Sequence, residues 1–140
     1  MLWAGTAGVN LVLQHPHPKA CQQACLAMLA GRTLDDVIAI CGHDGQLSGA
    51  EREKVVKTFG IKMNPWASRM VAAFATEPYR NLAQAMREHY ALWCSVYDSI
   101  DPNFAHAVVI HGNQLYDPHA GMNPTWPWSR VIGNIATVES

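Results

Sequence analysis

This chain is short of charge. Only 15% of its 140 residues are charged, against the ~25% of an average soluble domain. Ten basic and eleven acidic residues nearly cancel, giving a formal net charge of −1. The basic residues are scattered, although Arg52, Lys54 and Lys57 share one segment. A nucleic-acid partner, which calls for a basic face, is therefore not expected. Nor is there a run approaching the ~20 apolar residues that a membrane span requires. The first fourteen residues lack a basic start and a long apolar core, so no secretory signal is expected. Cysteine is also sparse. Positions 21, 25, 41 and 94 do not form the dense, regularly spaced set of a disulfide scaffold. These absences lead to the expectation of a reduced, cytoplasmic protein without a membrane segment, with export independent of a signal peptide left open.

What the chain has is apolar content, 49% of residues, enough for one domain over 1–140 with a real core. Helix signals fill the first two-thirds. Pro16 and Pro18 form a stiff approach to a helix over roughly residues 20–30, whose Ala24, Cys25, Met28 and Leu29 make an apolar face and which Gly31 stops. Thr33 with Asp36, and Ser48 with Glu51, are capping-box pairs opening two more helices. These end at Gly42 and Gly60, with Leu34, Val37, Ile38 and Cys41 inward on the first and Val55, Val56 and Phe59 on the second. Ile61–Met63 reads as a short strand, and a further helix is expected from Pro78 to His89. Residues 1–14 read as a Gly-rich lead-in with a short strand or extended segment.

Strand signals take the last third. Residues 91–97 form a near-continuous apolar strand, expected to be buried on both faces. Residues 105–111 and 114–117 flank Gly112-Asn113, a two-residue hairpin signal. One or two strands are expected between Trp126 and Val138. Helices followed by strands imply an α+β fold, a helical layer against an antiparallel sheet.

Two positions in this pattern carry chemistry. Cys21 falls in the first helical turn, where free N–H groups and the positive end of the helix dipole favour a thiolate. In the hairpin, a two-residue loop sets His111 opposite Gln114 and His106 opposite His119. Strand alternation then puts Asp117 on the face of His106, diagonal to it and within hydrogen-bond reach. A carboxylate so placed can orient the imidazole and stabilise its cation. The remaining cysteines read as small core residues. His15, His17, Cys21 and Cys25 do not match a closed zinc pattern, so no metal is expected. Trp126-Pro127-Trp128, with Trp66 and Trp93, read as core or cleft lining, and His111 and His119 as surface residues.

The order of cysteine, histidine and aspartate resembles the papain-like cysteine peptidases, most nearly the bacterial leader peptidases that cut bacteriocin precursors after a double glycine. Cys21-Gln22-Gln23-Ala24-Cys25-Leu26-Ala27-Met28 is similar to that family's cysteine motif, in which Cys-Gly-x-Ala-Cys-Leu-Ala-Met is common. His106-Ala107-Val108-Val109-Ile110 resembles its histidine strand, and Leu115-Tyr116-Asp117-Pro118, with Gly121 beyond, its Asp-Pro segment. Asp44-Gly45, leading to a helix that ends in Gly60-Ile61, fits more loosely. The likeness spans roughly residues 12–122.

The resemblance implies a compact papain-like fold, with Cys21 as nucleophile, His106 as general base and Asp117 as its orienter. It implies Gln14, with the Cys21 backbone N–H, as oxyanion donor, no cofactor, and a peptide or protein substrate with small residues such as glycine before the cut. The chain departs from the family in two places. Gln14 lies seven residues ahead of the cysteine where six is usual, and Gln22 stands where glycine often follows the nucleophile. Other amide chemistry on the same triad (amidase, deamidase, acyl or peptidyl transfer) is one alternative, and a degenerate peptide-binding domain is another.

Overall fold

The computed structural model describes residues 8–64 and 84–140. Three helices come first: α1 (Cys21–Ala30), α2 (Leu34–Cys41) and α3 (Gly49–Phe59). The strands follow as β1 (Lys62–Met63), β2 (Ala91–Asp98), β3 (Ala105–His111), β4 (Gln114–Asp117), β5 (Gly121–Met122) and β6 (Arg130–Glu139). They make one antiparallel six-stranded sheet in the order β1-β6-β2-β3-β4-β5. The protein is thus α+β, as its helix-then-strand order implies.

The local signals act as their chemistry dictates. Both capping boxes close, with Thr33 and Asp36, and Ser48 and Glu51, exchanging side-chain and backbone hydrogen bonds. Gly31, Gly42 and Gly60 end the three helices in the left-handed conformation, which lets their N–H groups reach back to the last carbonyls. Gly112 and Asn113 both take positive φ, 58° and 63°, the geometry of a type I′ hairpin. The loop therefore holds His111 opposite Gln114.

The sheet is buried on both sides. On one face Trp93, Val109, Ala136 and Val138 pack with Cys25, Leu26, Met28, Val37 and Val55 of the helices. On the other, Leu92, Cys94, Val96, Val108, Ile110 and Ile135 gather with Ala85, which belongs to the helical segment 84–88. Burying a side chain of this size contributes about 1.5–3 kcal/mol, so central β2, apolar along its length, anchors both clusters.

The expected faces of two helices need correction, while the lead-in and the tail each follow one of the alternatives expected. Residues 8–14 form no strand; the segment is held instead by a hydrogen bond from the Gln14 N–H to the Pro118 carbonyl at 2.8 Å. Helix α1 has no single apolar face, because Gln23, Ala24, Cys25, Leu26, Ala27 and Met28 are all buried; it is enclosed by α2, α3 and the sheet. In α2 only Val37 is fully buried, and Leu34, Ile38 and Cys41 are partly covered. The tail is one strand, within the one or two expected, a ten-residue run back along β2; short β5 was not foreseen. Residues 78–83 of the expected fourth helix, and Trp66, lie outside the described residues.

Candidate active site

The site lies where the start of α1 meets the start of β3. The Pro16 and Pro18 approach is not extended. His17 N–H donates to the Gln14 carbonyl at 2.7 Å and Ala20 N–H to the His17 carbonyl at 3.2 Å, so the connector folds into two consecutive turns. They deliver Cys21 as the first residue of α1, whose N-cap, Ala20, has no side chain to bond the first-turn N–H groups. That end of the helix stays available to negative charge. Cys21 is partly exposed.

His106 comes from β3, its side chain 10% exposed. Its Nε2 is 2.6 Å from Asp117 Oδ1, the diagonal pairing that the hairpin register requires. Cys21 lines the same groove and is the ring's other electrostatic neighbour. Burial works against a charged imidazole, but the hydrogen bonds and charges of Asp117 and Cys21 outweigh it and raise the His106 pKa from 6.5 to about 9.

Asp117 is 2% exposed and fully engaged. Its Oδ1 also accepts from the backbone N–H groups of His119 at 2.8 Å and Ala120 at 3.1 Å, and its Oδ2 from the Trp126 indole N–H at 3.1 Å. Burial alone would favour the neutral acid. The His106 bond and the backbone donors reverse this and hold the pKa near 2, below the ordinary 3.8. Trp126, expected as core or cleft lining, is thus a partner of the carboxylate; an indole nine residues past a carboxylate carries no signal of that role.

Gln14, 5% exposed, joins Cys21 and His106 in lining a groove of about 1080 Å³. Its amide nitrogen donates to the Pro18 carbonyl at 2.9 Å and makes a longer 3.4 Å contact with the His17 carbonyl, while its buried Oε1 has no partner. The turns thus absorb the seven-residue spacing and bring Gln14 to the helix start. One amide hydrogen is committed there, and the other is loosely held.

A lip of the groove is formed by Gly45 and Gln46. Fully buried Gln23 donates to the Gly45 carbonyl at 2.6 Å and the His43 carbonyl at 3.3 Å. His43 Nε2 meets Glu51 at 2.5 Å, and His17 Nδ1 meets Asp44 at 2.8 Å. The histidine that precedes the cysteine motif therefore braces a loop. Among the described residues no group of three or more His, Cys, Asp or Glu side chains is placed to hold a metal ion.

The opposite wall is built by a bulge. Between Cys94 and Val96 the partners on β6 step from Ile135 to Ile132, so β6 carries one extra residue at Gly133-Asn134. A Cβ on Gly133 would stand 2.3 Å from the Tyr97 ring. Glycine therefore lets that ring lie across the strand, where Asn134 donates to its hydroxyl. Tyr97 and Asn134 both line the groove.

Other candidates fall elsewhere. Cys25 and Cys94 are fully buried and Cys41 is half-buried; none of the four cysteines is in a disulfide. Burial, and then the neighbouring Cys21 charge, pushes the Cys25 thiol well above its usual pKa. Trp93 is core, and Trp128 is almost wholly exposed. His119 is exposed, as expected. His111, expected at the surface, is partly covered, and its Nδ1 donates to the Tyr90 carbonyl at 2.8 Å.

Compared with protein-family models, with curated proteins and with solved structures, the chain matches none. Among the described residues no helix is long and apolar enough to cross a membrane.

Proposed function

We propose that the protein is a cysteine peptidase of papain-like type. The observation that carries this reading is that the hydrogen-bonded His106–Asp117 pair and Cys21, the first residue of a helix, meet at one open groove. With a His106 pKa of about 9, the imidazole is protonated at neutral pH, and its cation faces the thiol at a helix start. A helix start and a facing imidazole are the surroundings in which cysteine nucleophiles are activated.

The Cys21 thiolate attacks a substrate carbonyl carbon, forming a C–S bond and a tetrahedral oxyanion. The Cys21 N–H, with the loosely held Gln14 amide hydrogen, would stabilise that charge. The imidazolium gives its proton to the amine as the C–N bond breaks. Neutral imidazole then takes a proton from water, which attacks the thioester and restores the thiolate. Asp117, fixed by four donors, holds the ring in one orientation throughout. The resemblance further suggests small residues such as glycine before the cut.

The commitment of one Gln14 hydrogen to Pro18 favours a second reading, a peptide-binding domain that no longer cuts. Incubation with a complex peptide library, and identification of new termini by mass spectrometry, separates the two. The peptidase reading expects new termini that vanish in Cys21→Ala. Peptide retention without new termini would support the binding domain.

A further inference from the structure

The groove is lined by cations. Lys19, two residues before the nucleophile, and Arg52, in the first turn of α3, both line it together with His106. Among the described residues no aspartate or glutamate lines it, and neither Lys19 nor Arg52 forms an ion pair. The acids that flank Arg52 and the groove lip are already committed, and Glu53, next to Arg52, lies 3.9 Å from Lys57. Asp44 is held by His17, and Glu51 by His43 and the Ser48 N–H. Apart from the nucleophile Cys21, the remaining lining is neutral and includes Gln22, Gln46, Asn103 and Asn134. Two free cations, a protonated imidazole and an uncapped helix start thus act on one cleft, so that their fields add there.

We propose that this groove selects a carboxylate on the substrate near the bond to be cut, with Lys19 and Arg52 as the residues that bind it. This rests on the peptidase reading and adds a substrate class to it: acidic peptide segments. The carboxylate can belong to an Asp or Glu side chain or to a peptide C-terminus; the chemistry recognised is the same. Arg52 can engage both carboxylate oxygens, while Lys19 acts as a point charge.

The test compares two thiol reagents of similar size, anionic iodoacetate and neutral iodoacetamide. Rates at Cys21 are read by peptide mass spectrometry at pH 7 and low salt, with the same ratio for glutathione as reference. The His106 cation is common to every sample, so the contribution of the two groove cations is isolated by Lys19→Gln, Arg52→Gln and the double variant. The iodoacetate-to-iodoacetamide ratio is expected to exceed that of glutathione and to fall about threefold to fivefold in each single variant, further in the double, and in wild type as salt rises. The iodoacetamide rate is expected to stay within about twofold. A reactive Cys21 whose ratio is indifferent to both substitutions overturns the proposal alone. A wild-type Cys21 unreactive toward both reagents overturns the peptidase reading and the proposal with it.

Peptides then identify the source of the carboxylate. Faster cleavage of amidated peptides containing glutamate than of their glutamine counterparts assigns it to a side chain. Faster cleavage only of peptides with a free C-terminus assigns it to the terminus. Either preference is expected to be lost in the double variant, and equal cleavage of all three overturns the proposal.

Discussion

Trp126 and His106 hold opposite oxygens of one carboxylate: the indole N–H donates to Asp117 Oδ2 at 3.1 Å, and His106 Nε2 lies 2.6 Å from Oδ1. A side chain from the segment before β6 thus helps aim a histidine on β3. Trp126→Phe keeps most of the ring's packing but removes the donor. Because hydrogen bonds to charged groups contribute about 1.5–3 kcal/mol, a loss near 2 kcal/mol is expected in urea denaturation. Peptide cleavage is expected to fall as the Asp117 carboxylate loosens.

The Asp117 carboxylate also sets the charge of His106. Its hydrogen bond and charge are among the causes raising the imidazole pKa to about 9. Asp117→Asn therefore moves the alkaline limb of the cleavage or alkylation profile to lower pH, by about 1–2 units. A limb that stays in place would detach the profile from this pair.

The same pair gives stability a pH window. His106 is raised from 6.5 to about 9, so its contribution is full below 6.5 and is lost as pH rises through 9. Asp117 is lowered from 3.8 to about 2, so its contribution is full above 3.8 and is lost as pH falls through 2. Unfolding free energy from this source is largest between pH 3.8 and 6.5. Urea titrations of wild type and His106→Gln across pH 4–10 check it: the difference between the two is expected to shrink above pH 8.

Gly133 is where a side chain would break the groove wall without touching the triad. In Gly133→Ala the new Cβ overlaps the Tyr97 ring, which must swing away and lose its bond to Asn134. Overpacking of this kind costs about 1–3 kcal/mol. Peptide KM is expected to rise while Cys21 alkylation by iodoacetamide is unchanged. Adding Tyr97→Ala is expected to recover part of the stability.

Much of the fold was legible because local chemistry and global structure agree. Capping boxes open α2 and α3, and glycine stops end α1, α2 and α3, at the residues that suggested them, and Gly112-Asn113 fixed a register from which the His106–Asp117 contact followed. Less legible were features that depend on distant partners. Enclosure of α1 is set by α2, α3 and β3 rather than by its own periodicity, which is why Gln23 is buried against the 43–45 turn. The length of β6 comes from pairing with β2, some forty residues back in the chain. Gln14 reaches the helix start because two turns shorten the path, whereas proline spacing alone suggested only a stiff connector.

The central claim is that Cys21 is a nucleophile activated by His106. The most direct measurement is the rate of Cys21 alkylation by iodoacetamide from pH 4 to 10, in wild type and His106→Gln, resolved by peptide mass spectrometry from half-buried Cys41. The account predicts selective Cys21 labelling at pH 6 that falls at least about tenfold in the variant. Labelling that begins only as pH approaches the ~8.5 of a free thiol, with the same profile in both proteins, would contradict it.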